Sequence, residues 1–210
     1  MNSSTNRYRR FRNPRTAGAL ACVALACLTV TGCSGFGGGD DIPSTSGGTV
    51  ADARELARRG DTAFKDGDND LAETLYKRSL DILPDQPGTL NNLGNVLVAR
   101  GMYLDAQEVF KRAIQLDPNR PESFGNLGRL WLEAKWPREA VKHFDEALKI
   151  DTRYLPALRG KATANHLLSA VSEDYLSELR RAILIEADPA WRAFFDRERV
   201  RVQQALQLDT

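Results

Sequence analysis

From Ala53 onward the apolar residues of this chain fall at helical spacing, and one arrangement of them returns every 34 residues. With Ala53, Pro87 and Pro121 each taken as position 1, the segments 53–86, 87–120 and 121–154 align without a gap. Position 4 holds Leu56, Leu90 and Phe124; position 7 holds Arg59, Leu93 and Leu127; position 8 holds Gly60, Gly94 and Gly128. Further on, position 20 holds Ala72, Ala106 and Ala140, position 24 holds Tyr76, Phe110 and Phe144, and position 27 holds Ser79, Ala113 and Ala147. Both halves of each segment satisfy the 3.6-residue period, which predicts two amphipathic helices per unit. Small residues at 8, 20 and 27 let the helices approach closely, and the larger ones at 4, 7, 11 and 24 fill the space between them. Gly67-Asp68 and Gly101 supply glycine where the first helix must end. The third unit has Lys135-Trp136-Pro137 there, and its helix is expected to stop by another route, through the effect of proline on the residue before it.

After Tyr154 the pattern decays. Leu155–Leu168 keeps the outline of a first helix with Leu158, but position 7 is Lys161. A one-residue insertion in the following turn restores the register, because Arg180-Arg181-Ala182-Ile183 then matches Lys111-Arg112-Ala113-Ile114. A degenerate fourth unit, 155–188, is expected, with its second helix from about Ser172 to Ile185. Asp188-Pro189 reads as a helix N-cap followed by proline at the first helical position. It opens a last helix within 189–210 whose polar side would cap the array. Trp191, Phe194 and Phe195 would form its inward side or, alternatively, anchor a partner.

The residues repeating over Ala53–Tyr154 resemble the tetratricopeptide repeat, a helix–turn–helix unit of 34 residues. Arg59 and Thr152 depart from the usual types. The resemblance implies an all-α solenoid of antiparallel helix pairs over residues 51–188, closed by a C-terminal capping helix, which binds protein on an inner face lined by the first helices.

The N-terminal part reads differently. Arg7, Arg9, Arg10, Arg12 and Arg15 precede an uncharged run, Ala17–Val30, as in a signal peptide. Fourteen residues of helix reach only about 21 Å, short of the ~30 Å hydrocarbon core, so a permanent span is disfavoured. Val30-Thr31-Gly32-Cys33 resembles the bacterial lipobox. That resemblance implies cleavage after residue 32 and lipidation of Cys33 by long acyl chains of the palmitate kind, with two or three chains giving stable anchoring. The alternative is an ordinary secreted chain with a free or disulfide-linked cysteine. Because Cys22 and Cys27 leave with the signal, Cys33 would then have no partner in its own chain. Arg9-Arg10 fits a twin-arginine signal poorly. Ser34 stands where an aspartate would resemble an inner-membrane retention signal, so the expected address is the envelope of a bacterium, at the periplasmic face of the outer membrane where there is one. Residues 34–50 are Gly- and Ser-rich and read as a flexible tether.

Charge and chemistry narrow the function classes. The formal charge of +1 conceals 24 basic against 28 acidic residues after the signal, near −4, which gives no field to gather nucleic acid. The two histidines, His143 and His166, lack ligand-pair spacing, and Asp66, Asp68 and Asp70 do not complete a calcium loop because Lys77 stands at its glutamate position. No nucleophile motif, phosphate loop or Cys/His cluster is present. The expectation is a non-enzymatic protein with no cofactor and no metal; oligomeric state has no signature.

In the family, positions 2, 5, 6, 9, 12 and 13 face the inner curve. Unit two presents Asn91, Asn92, Asn95 and Val98 there; unit three presents Glu122, Asn126, Arg129, Leu132 and Glu133. Asn92 and Asn126 share position 6, similar to the asparagine ladder with which long repeat arrays grip a peptide backbone; an amide both donates and accepts. The alternative is that these amides are solvated or bond neighbouring helices. The carboxylate clamp of chaperone-binding repeats is not matched. Ala57 and Asp61 occupy its lysine and asparagine positions, Glu122 a further lysine position, and only Asn92 agrees. Anchor, tether and repeats together resemble small lipoproteins of bacterial envelope machines, above all the repeat lipoprotein of tight-adherence (Flp) pilus assembly. The implied role is a scaffold holding an extended peptide or an envelope-complex subunit; the alternative is an adaptor regulating a peptidoglycan hydrolase.

Overall fold

In the computed structural model residues 48–208 are described, and among them every regular element is an α-helix. The signal segment, Cys33 and the tether as far as residue 47 lie outside the described residues. The helices pair in order: α1 (Val50–Lys65) with α2 (Asn69–Ile82), α3 (Pro87–Ala99) with α4 (Tyr103–Leu116), α5 (Pro121–Glu133) with α6 (Pro137–Ile150), and α7 (Leu155–Leu167) with α8 (Glu173–Ile185). A last helix, α9 (Pro189–Leu208), follows. Each first helix packs on its own second helix and on the first helix of the next unit, the arrangement of a solenoid.

Local chemistry sets the boundaries. Thr49 and Asp52 form a reciprocal capping box, so α1 begins three residues before the repeat register and inside the stretch read as tether. Pro87, Pro121 and Pro189 each open a first helix at the point where a backbone N–H would have no helical partner. At the other end, Gly67, Gly101, Lys135 and Ser169, spaced 34 residues apart, all adopt left-handed backbone, with φ of 84°, 74°, 68° and 51°. In each case the next amide donates back over a full turn: Asp68 to Ala63, Met102 to Leu97, Trp136 to Trp131 and Ala170 to Asn165, at 2.8–2.9 Å. The expectation of a different stop in unit three is therefore corrected. Lys135 makes the same left-handed cap as the glycines without their freedom, and Pro137 acts one step later, holding Trp136 outside the helical region as the lead into α6.

The core follows the register. Tyr76, Phe110 and Phe144 are almost fully buried, each against the position-8 glycine of its own unit. A Cβ at Gly128 would lie 2.7 Å from the Phe144 ring, inside any tolerable approach, so the glycine is the space the aromatic occupies. Unit four departs where the sequence departs. Lys161 replaces the apolar position 7, and its ammonium sits between Asp145 of α6 (2.5 Å) and Glu178 of α8 (2.6 Å). Burial pulls its pKa down, but the two carboxylates outweigh burial and leave it raised.

α9 takes the place of a fifth first helix against α7 and α8, with Phe195 and Val202 wholly buried. Two buried carboxylates pin it. Glu186, just before it, receives both Arg159 guanidinium arms of α7 at 2.6 and 2.8 Å. Glu198 receives Arg201 and Tyr175 and meets Nδ1 of His166 at 2.8 Å.

Candidate functional site: the inner face of the first helices

Successive first helices lie side by side, and their side chains meet in rows. Position 6 of one unit reaches position 9 of the unit before it: the Asn92 amide donates to the Asp61 carboxylate at 2.7 Å. The same carboxylate oxygen accepts from the Tyr76 hydroxyl at 2.7 Å. Burial, together with that carboxylate, pushes the Tyr76 pKa far up, so the hydroxyl remains a donor. Position 5 reaches position 3 of the next unit, and Asn91 donates to the Ser123 hydroxyl at 2.7 Å.

These rows sort the candidate residues. Asn91 is 4% exposed and lies in the seam between α3 and α5, so its side chain is not offered to a ligand on the open face. The cause is lateral: Ser123 is short enough to let the amide in, and a polar residue at position 5 bonds the neighbouring helix in preference to solvent. Asn92 is half-buried and spends one N–H on Asp61. Asn95 is half-buried and accepts from Arg129 at 2.7 Å, while the other arm of Arg129 pairs with Glu133 at 2.8 Å. Asn126, half-buried like Asn92 and Asn95, differs from all three in making no hydrogen bond among the described residues. Beside it, the Tyr154 ring lies over Gly125, where a Cβ would come within 2.8 Å of it. Burial, with Glu122 nearby, pushes the Tyr154 hydroxyl up to about 12. The surface around Asn126 therefore offers an unengaged amide, a neutral phenol and a guanidinium already partnered, which together can exchange hydrogen bonds with a polypeptide backbone.

Sequence reasoning missed the part-buried pairs Arg159–Glu186 and Lys161–Glu178, whose partners lie 27 and 17 residues apart. The sequence signal for the second was available, a lysine at an apolar position. Among the described residues no group of three or more His, Cys, Asp or Glu side chains could hold a metal ion, and no helix is long and apolar enough to cross a membrane. Burial lowers the His143 pKa, and no carboxylate hydrogen-bonds its ring.

Two tetratricopeptide repeat family models match the chain, over residues 52–119 and 97–164, together more than half of it. No curated protein matches it. Among solved structures, a thermophilic tetratricopeptide repeat protein of Thermus thermophilus aligns with a TM-score of 0.60 and 20% identity, over 74% of this chain and 87% of that one. An O-GlcNAc transferase mutant of Thermobaculum terrenum aligns at 0.57 and 25% identity, over 65% of this chain and 27% of its own. The first repeat domain of Spaghetti (RPAP3), bound to an HSP90 peptide, aligns at 0.53 and 19% identity, over 56% and 94%. The register, the αL helix ends, the glycine–aromatic contacts and these matches agree: the chain belongs to the tetratricopeptide repeat family.

Proposed function

We propose that the chain is an envelope-anchored adaptor, held to a bacterial membrane through lipid on Cys33, whose inner face grips an extended segment of a partner protein in a pilus or secretion assembly. Repeats of this family are protein-binding scaffolds and generally non-catalytic, and a structural relative carries a bound peptide. The observation that carries the reading to this chain is Asn126, a ladder-position amide with both its donor and acceptor capacity unspent. Ala57, Asp61 and Glu122 take clamp positions that would need a lysine, an asparagine and a lysine, so the segment gripped is internal and not a C-terminal carboxylate. Asn126→Ala is expected to weaken partner capture from solubilised envelopes with an unchanged circular dichroism spectrum; undiminished capture discards the inner face. Cys33→Ser is expected to release the protein from membranes, and pelleting that persists through a high-salt wash contradicts the anchor. Capture of a secretin or pilus subunit distinguishes this role from service to a peptidoglycan hydrolase.

A further inference from the structure

Of the carboxylates carried by the first helices α1, α3, α5 and α7, Glu122 alone makes no hydrogen bond or ion pair among the described residues. Asp52 is held by Thr49, Glu55 by Arg58, Asp61 by Tyr76 and Asn92, and Glu133 by Arg129. Glu122 is exposed in the first turn of α5, and Gly125 and Asn126 follow it at i+3 and i+4, on the same side of the helix. Tyr154 reaches this side from the start of α7. It occupies position 34, where the other units have Gln86, Arg120 and Asp188, and it crosses to position 5 of its own unit's first helix, where the other units have Ala57, Asn91 and Arg159. Glycine stands at position 5 in this unit alone, and the ring takes the space that a Cβ would fill at Gly125. The Tyr154 backbone opens α7, but its side chain caps nothing, and its hydroxyl makes no hydrogen bond among the described residues.

The charge around the ring favours a cation. Burial is the first cause of the raised Tyr154 pKa; Glu122 and Asp151 add to it, and Arg129 opposes them. Arg129 is already committed, one arm to Asn95 and the other to Glu133. Arg120 pairs with Asp117 and lies beside α3, 3.9 Å from where a Cβ at Gly88 would be. Arg153, exposed in the turn that holds Asp151, gives the Asp151 carboxylate its backbone N–H, and its guanidinium pairs with neither Asp151 nor Glu122 among the described residues. On one side of α5 there remain a carboxylate, a phenol oxygen on an aromatic ring and the Asn126 amide oxygen, three acceptors that no cation of the described residues engages. An acidic side chain brought here would meet Glu122 and Asp151 and find only a guanidinium that is already bonded.

We infer that Glu122 and Tyr154 form a subsite for a basic side chain of the partner segment, a lysine or arginine whose charge meets the carboxylate and whose stem lies along the ring, beside the Asn126 amide that holds the backbone. This rests on the reading that the inner face binds an extended segment, and it adds the residue type that the face selects. A cation near an aromatic ring and a carboxylate is attracted by both, and charged groups on a binding surface decide the choice of partner more than raw affinity.

Selection from a phage-displayed random dodecapeptide library on the immobilised full-length chain tests it. The expected enrichment is for peptides that carry Lys or Arg. Because the mature chain is acidic as a whole, substitutions at the subsite separate local recognition from general attraction. Binding of the enriched peptides should fall about fivefold on Glu122→Gln, the upper end for a solvent-exposed ion pair, and should become less sensitive to salt. Glu122→Arg should turn the selection over, so that the same library yields peptides carrying Asp or Glu. Gly125→Ala should weaken binding by pushing the Tyr154 ring off its place while Glu122 stays. Enriched peptides that bind Glu122→Gln as well as the unsubstituted chain but lose affinity for Asn126→Ala would overturn the subsite and leave the inner-face reading standing. Peptides indifferent to both substitutions, or no enrichment at all, would overturn both.

Discussion

Asn92 and Asn126 occupy the same position in adjacent units, yet only Asn92 is bonded to a neighbouring helix, and paired alanine substitutions separate its structural role from the ligand role proposed for Asn126. Asn92 donates to the Asp61 carboxylate at 2.7 Å across the seam between α1 and α3. A net hydrogen bond is worth about 0.5–1.5 kcal/mol, and one to a charged group about 1.5–3. Asp61 is half-exposed and keeps its bond from Tyr76, so the loss should sit at the low end, about 1 kcal/mol. For a domain of this size that lowers Tm by roughly 2–4 °C. Asn126 has no such bond to lose, and its substitution should stay within about 0.5 kcal/mol, the range of surface changes. Thermal melts of both variants followed by circular dichroism, beside a peptide-binding assay, read the two tasks separately. Asn92→Ala should move the melt, and Asn126→Ala should move binding. Equal melts for both, or a larger drop for Asn126→Ala, would refute the assignment of Asn92 to the structure and of Asn126 to the ligand.

Lys135 is an exposed residue at φ 68°, where a side chain costs about 1–2 kcal/mol. Glycine gives back about 0.4–1 through the unfolded chain. Lys135→Gly should therefore stabilise by about 0.5–1 kcal/mol and Gly101→Ala should destabilise by a similar amount; urea unfolding with both shifts of one sign contradicts the turn geometry. Glu198 sits below the ordinary carboxylate range although burial pushes it up, because Arg201 and His166 outweigh burial; Glu186 is lowered chiefly by Arg159. Lowered carboxylates bind fewer protons folded than unfolded, so their contribution is complete above about pH 4.3 and is lost as pH falls through the folded values. Hydrogen exchange should then show α9 losing protection before α3 and α5 on acidification, and uniform loss would remove the ionic pinning of the cap. Lys161→Leu restores the apolar type at position 7 but strands Glu178 beside Asp145. It should destabilise alone and recover when Glu178→Leu is added, and a stabilising single change would mean the part-buried triad does not hold α7 to α8.

What could be read from sequence was whatever one unit specifies within itself. The glycine at position 8 and the aromatic at 24 meet inside a single helix pair, so their recurrence named the fold, and the boundary of α9 followed from Asp188-Pro189. What was missed lies between units. Asn91 looks like a ligand-facing amide on its own helix, and only the neighbouring Ser123 makes it a seam residue. Lys135 hides a left-handed cap because no glycine marks it; the equivalence to Gly67 and Gly101 was present in the register but outweighed by the more visible proline. Trp191, Phe194 and Phe195 read as one inward stripe, whereas α9 turns Phe195 fully inside and leaves the other two at the rim. Arg159 and Glu186 find each other across a turn whose length no local pattern sets.

In the proposed function the first helices, and not the second helices, meet the partner. A photo-crosslinking amino acid placed at Asn126 on the inner face, and separately at Leu184, 83% exposed on the second helix α8, tests it directly in intact cells that carry the native partner. A discrete crosslinked protein is expected from position 126 and none from 184; the reverse pattern would place the partner on the second helices.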